Sequence, residues 1–219
     1  MNIQHLNPVI DFFLREGVPF DTVVLLLMLP IIATFIALLR QVVGVKAFGV
    51  YTPLIVTFAF LATNGVKYGI AIFVTILLVG MLSRLLLKSL RLLYLPRVAI
   101  MLTIVAIAIL FMLTIGGGLR RTGLASVSIF PILIMITLVE KFITVQIEKG
   151  DRVAFMLAAE TLIISILGFY IASWPLLINF IITYPWIVIL TVPLNLLIGK
   201  WTGLRITEYV RFREIIKNM

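Results

Sequence analysis

Two carboxylates, Glu140 and Glu160, stand inside long apolar runs, each ten residues from Gly150 and on opposite sides of it. An ionisable group within a membrane span costs about 2.5–3.5 kcal/mol on insertion scales, so each needs an explanation. If Gly150 turns an antiparallel helical hairpin, a rise of about 1.5 Å per residue sets both at one depth, with Lys141 level with them. Thr137, Glu140, Lys141 and Thr144 follow i, i+3, i+4, i+7 spacing, a polar stripe on one helix face. Two carboxylates close together in low dielectric share a proton or need a cation. That is the chemistry of a proton relay or a cation site. The same residues also fit a buried ion pair, Lys141 with one glutamate, that only fixes helix packing.

Other chemistries thin out quickly. The single histidine, His5, lies in the amino-terminal tail, so no histidine-based triad or histidine-rich metal site is expected within the spans. Asp11, Asp21 and Asp151 fall at span ends, there are no cysteines, and no phosphate-cradling glycine loop precedes a Lys-Ser/Thr pair. The reading is therefore a non-enzyme, with no catalytic residue, metal or cofactor. Arg120 and Arg121, after three glycines, form a basic loop that reads either as a weak binding site for an anionic group or as a plain solvated loop.

The elements that must position these groups are set by composition. The 219 residues are 63% hydrophobic and 12% charged, with a mean hydropathy of +1.23. Soluble domains carry about 25% charged residues, so this apolar surface calls for lipid as solvent. The fold class expected is all-α: a polytopic bundle of seven transmembrane helices, at 21–39, 48–63, 66–87, 98–115, 124–147, 153–173 and 176–199. Arg40 and Gln41 should end the first span, Pro131 should interrupt the fifth, and Pro185 and Pro193 should break the seventh. Residues 1–20 read as an interfacial segment holding a short helix capped by Asn7, with Pro8 in its first turn and Gly17 at its stop. Residues 21–199 form the membrane domain, and 200–219 a cytoplasmic amphipathic tail.

Orientation follows from the basic residues. One side receives 14 of the 18 Lys and Arg, including Arg40, Lys46, Arg84, Lys88, Lys141, Lys149, Arg152 and Lys200. The other receives Arg15, Lys67, Arg120 and Arg121. The richer side faces the cytoplasm, which puts the amino terminus outside and the carboxyl terminus inside. The first span then serves as its own insertion signal. A net charge of +9 placed at span ends fits anchoring to anionic lipid rather than binding of nucleic acid. Oligomeric state stays open.

The two halves also share a pattern. Gly44 and Pro53 enter the second span much as Gly123 and Pro131 enter the fifth. These spans run in opposite directions, so an inverted repeat of three spans against three, plus one, is expected, with the four residues as hinges. Interrupted helices at matching positions of inverted halves point to a transport site.

Three motifs carry a family resemblance. They are Arg40-Gln-Val-Val-Gly44-Val-Lys-Ala-Phe-Gly49-Val-Tyr-Thr-Pro53, the stretch from Phe130-Pro131 through Glu140-Lys141 to Gly150, and Lys200-Trp-Thr-Gly203-Leu-Arg. Over 20–212 the chain resembles the seven-helix membrane domain usually fused to an inactive transglutaminase-like domain. The segment 131–150 is also similar to the small membrane subunit of poly-γ-glutamate synthase. The resemblance implies a bacterial cytoplasmic-membrane protein working beside peptide-ligase or protease partners, in making or exporting a glutamate-rich or cell-envelope peptide. Together these readings give a transport or export module with a proton or cation site in the bundle. The alternative is a non-catalytic scaffold that docks a peptide ligase or another membrane subunit.

Overall fold

The computed structural model describes residues 7–63, 65–87, 93–118, 129–201 and 203, and every regular element among them is helical. In chain order these are α1 (Pro8–Arg15), α2 (Phe20–Leu38), a π-helical turn (Leu39–Val43), α3 (Tyr51–Ala62), α4 (Val66–Leu87), α5 (Tyr94–Gly118), α6 (Ile129–Lys149), α7 (Asp151–Ala172), α8 (Pro175–Thr183), a 3₁₀ segment (Pro185–Leu190) and α9 (Thr191–Gly199). Among the described residues five helices are long and apolar enough to cross a membrane, and the bent α8 and Pro185–Gly199 pair, taken as one span, brings the number to six. The short apolar α3 is the remaining segment. The chain is an all-α membrane bundle.

Two compact units divide it. Unit 2, residues 55–169, holds most of α3 together with α4, α5, α6 and nearly all of α7. Helix α4 packs against both α5 and α6. In lipid no water drives helices together, so close approach of small residues does. Gly80 of α4 faces Val139 of α6, Gly69 of α4 lies under the Phe60 ring of α3, and Gly168 of α7 faces Thr57 of α3. Several hydroxyls here are spent on the backbone. Thr161 donates to the Leu157 carbonyl (2.7 Å), Ser165 to that of Thr161 (2.8 Å), and Thr57 to that of Ser165 (3.3 Å). Gly150, at φ 85°, is the single residue between α6 and α7. Just inside this turn Phe142 and Phe155 meet edge to face, with ring centres 5.4 Å apart. Arg84, near the end of α4, pairs with Asp151 (2.9 Å). The end of α4 and the α6–α7 turn thus share one side, as alternation of the spans requires.

Unit 1, residues 1–54 and 170–219, is built on α2, which touches α1, the π turn, α8, the 3₁₀ segment and α9. Helix α1 is capped as its sequence implies: the Asn7 side chain accepts from the Val9 N–H (3.0 Å) and Gly17 stands at φ 85°. Its buried Ile10 packs with Val23 and Ile182, and the Asn7 amide donates to the Thr183 carbonyl (3.0 Å).

Several boundaries differ from those the sequence implies. Arg40 and Gln41 do not end the first span, which runs on as a π turn to Val43. Pro53 and Pro131 each stand third in a helix, α3 and α6. The first turn has no backbone donors to lose, so each proline opens its helix instead of interrupting it. The glycines 116–118 lie within α5, not after it. The final span breaks at Tyr184–Pro185 with a bend of 101°, while Pro193 sits harmlessly in the first turn of α9.

Candidate functional site

The glutamates sit where the Gly150 turn puts them. Glu140 lies in α6 and Glu160 in α7, each ten residues from that glycine. Their exposure differs. Thr137, Glu140 and Lys141 are exposed, Thr144 and Glu160 half-buried, and none of Glu140, Lys141 or Glu160 is free of interactions. The opposite face of α6, with Met135, Leu138, Val139 and Phe142, is the buried one. The stripe threonines bond back to their own helix: Thr137 donates to the Ile134 carbonyl (2.6 Å) and Thr144 to that of Glu140 (2.8 Å). The polar side chain buried on α6 is instead Gln146, whose Oε1 has no hydrogen-bond partner among the described residues. Arg120, Arg121 and Gly123 lie outside the described residues.

A second constellation, in unit 1, was not legible as a site. Between α2 and α3 the backbone leaves regular geometry for a dozen residues. The π turn ends on Gly44 in the left-handed region (φ 93°), Ala47 has φ 21°, and Gly49 has φ 85°. A β-carbon at positive φ is strained, so this path is held against a local cost of about 1 kcal/mol or more at Ala47. Single π turns frequently mark functional sites.

Beside this segment opens a cleft of about 440 Å³ lined by Ala37, Arg40, Gln41, Val45, Lys46 and Val50 from the α2–α3 junction, and by Asn195, Ile198 and Gly199 from α9. The Asn195 amide donates to the Thr34 hydroxyl (2.7 Å) and to the Thr191 carbonyl (2.8 Å), which fixes α9 against α2. Thr34 passes its own proton to the Pro30 carbonyl (2.7 Å). The Gln41 amide donates to the Trp201 carbonyl (3.4 Å). Residues 160 apart in sequence, from the first and last of the three motifs, therefore meet at this cleft. Arg40 is half-buried, and its Nε has no hydrogen-bond partner among the described residues. The sequence signal was present in residues 40–53, but as a motif rather than as a site.

Apolar helices of spanning length and a broken final span define a polytopic helical membrane domain. A model of a family described as seven transmembrane helices usually fused to an inactive transglutaminase matches residues 14–216. The chain belongs to that family. Neither the curated proteins nor the solved structures contain a match.

Proposed function

We propose that this membrane module moves its cargo, a glutamate-rich or cell-envelope peptide, across the bacterial cytoplasmic membrane without catalysing a covalent step. The observation that carries the reading is the discontinuous end of unit 1, where the final span bends by 101° beside the π turn and the left-handed Gly44. Non-helical backbone at membrane depth is tolerated only where protein buries it or a watery cavity meets it, and broken helices line transport sites. Glu140 and Glu160, at matched distances from Gly150, would carry the coupling proton or cation, with Lys141 beside them and Gly44, Pro53, Gly123 and Pro131 shaping the entries to the second and fifth spans. Arg120 and Arg121 would meet the cargo on the far side. The family's habitual fusion to an inactive transglutaminase fits a non-catalytic role beside peptide-ligase or protease partners.

The outward stripe on α6 favours a second reading, a scaffold whose Thr137, Glu140 and Lys141 face another membrane subunit. Flux separates the two. Proteoliposomes loaded with a fluorescent oligoglutamate should release it faster than protein-free liposomes when a pH gradient is applied, and Glu160→Gln should abolish the difference. Release equal to that of protein-free liposomes, from protein shown to be folded, leaves the scaffold. Orientation is tested separately. In a chain without native cysteines, Lys67→Cys should react with an impermeant thiol reagent outside intact cells and Lys88→Cys should not.

A further inference from the structure

We infer that the unit 1 cleft is a binding site for a phosphate group carried on a lipid-like amphiphile. The inference does not depend on transport. Two positive side chains, Arg40 and Lys46, line one small cavity, and among the described residues no carboxylate lines it. The Gln41 amide reaches the same wall with one proton already spent on the Trp201 carbonyl, while Asn195 spends both of its amide protons on the protein and serves to fix the wall. A guanidinium is a planar fork of donors matched to tetrahedral and planar oxyanions, and a half-buried one with an unpartnered Nε retains donors to give. Leaving a buried donor unmade costs about 1–3 kcal/mol, more for a charged group, so an occupant that accepts from it recovers that energy.

The rest of the lining selects the kind of oxyanion. Ala37, Val45, Val50 and Ile198 give the cleft an apolar wall, and it opens at the end of a 24-residue apolar span. A free inorganic anion has no use for that wall. A headgroup phosphate with acyl chains beside it satisfies both halves of the lining. The Arg40 charge, beside a Lys46 that already has an interaction of its own, also suits a phosphomonoester, which carries about −1.5 to −2 at neutral pH, better than a zwitterionic headgroup. The strained path through Gly44, Ala47 and Gly49 is what brings Lys46 and Arg40 to one cavity, which accounts for a backbone held away from its ordinary minima.

The test uses the full chain purified in detergent with equal amounts of phosphatidic acid and phosphatidylcholine of matched acyl chains, and native mass spectrometry to read the lipid retained. The wild type should hold phosphatidic acid in clear preference. Arg40→Gln should lower retention by about tenfold or more, the size expected when one charged hydrogen-bonding partner is lost. Lys46→Gln should lower it less, and Arg40→Lys should restore part of it, since charge returns without the fork. Each variant's melting temperature is recorded, so that lost retention in an unfolded protein is not counted. Millimolar inorganic phosphate should compete weakly. Full displacement by it would mean that phosphate alone is recognised and would overturn the amphiphile. Equal retention of both lipids, or an Arg40→Gln protein that retains phosphatidic acid like the wild type, would overturn the site.

Discussion

Units 1 and 2 solve the same problem, polar backbone and side chains in lipid, in opposite ways. Unit 2 uses long helices whose hydroxyls donate to carbonyls of their own or the facing helix, and whose glycines let neighbours close up. Unit 1 departs from the regular helix with a π turn, a 3₁₀ segment, a bend of 101° and positive φ at Gly44, Ala47 and Gly49. It also leaves Arg40 Nε without a partner among the described residues beside a cleft. Buried polar atoms without a partner among the described residues occur in both units, Arg97 Nε and Gln146 Oε1 in unit 2 and Arg40 Nε in unit 1, but Arg40 stands in the wall of the cleft. Irregular structure with donors in reserve is what a membrane protein keeps where something binds. The contrast in backbone regularity supports the proposed recognition cleft in unit 1 and a packing role for the regular helices of unit 2.

Substitutions in unit 2 should therefore cost stability. Of three changes compared, the largest effect is expected at Gly168, where a β-carbon alone would stand 2.6 Å from the Thr57 hydroxyl oxygen, an atom on a short side chain with little room to move. Gly168→Val should destabilise by about 1–3 kcal/mol, the range for forced overpacking, read as a fall in the thermal midpoint in detergent. Gly150→Ala comes next. Its β-carbon meets open space, so the cost is only that of a left-handed backbone, about 1–2 kcal/mol. Smallest is Asp151→Asn, which removes an ion pair to Arg84 whose carboxylate side chain is 68% exposed and should shift stability by less than about 1 kcal/mol. A reversal of this order would break the assignment of unit 2 as a tightly packed scaffold.

Part of this contrast is legible in the residues alone. The fourth helix matches its expected span, Val66–Leu87, because an unbroken apolar run ends in Arg84 and a polar connector. The Gly150 turn is legible because one glycine between two helical patterns leaves little choice. Direction and irregularity are not. Spacing shows that Thr137, Glu140, Lys141 and Thr144 share a face, yet which face is buried depends on neighbours that spacing does not encode. Arg40 and Gln41 read as a helix stop because polar residues mark the edge of lipid, but backbone hydrogen bonds continue past that edge. Pro185 and Pro193 look alike in sequence, and only their place in the turn distinguishes the bend from the harmless start. The cleft escapes such a reading because it needs α9 brought onto the end of α2, a pairing of residues 160 apart.

Amide hydrogen exchange on the full chain in phosphatidylcholine nanodiscs, with and without added phosphatidic acid, tests the division of labour most directly. Residues 39–50 and 191–201 should exchange faster than α4 and α7 in the absence of the anionic lipid and should slow when it is added, while α4 and α7 stay unchanged. Protection that appears evenly along the chain, or only within α7, would contradict recognition in unit 1.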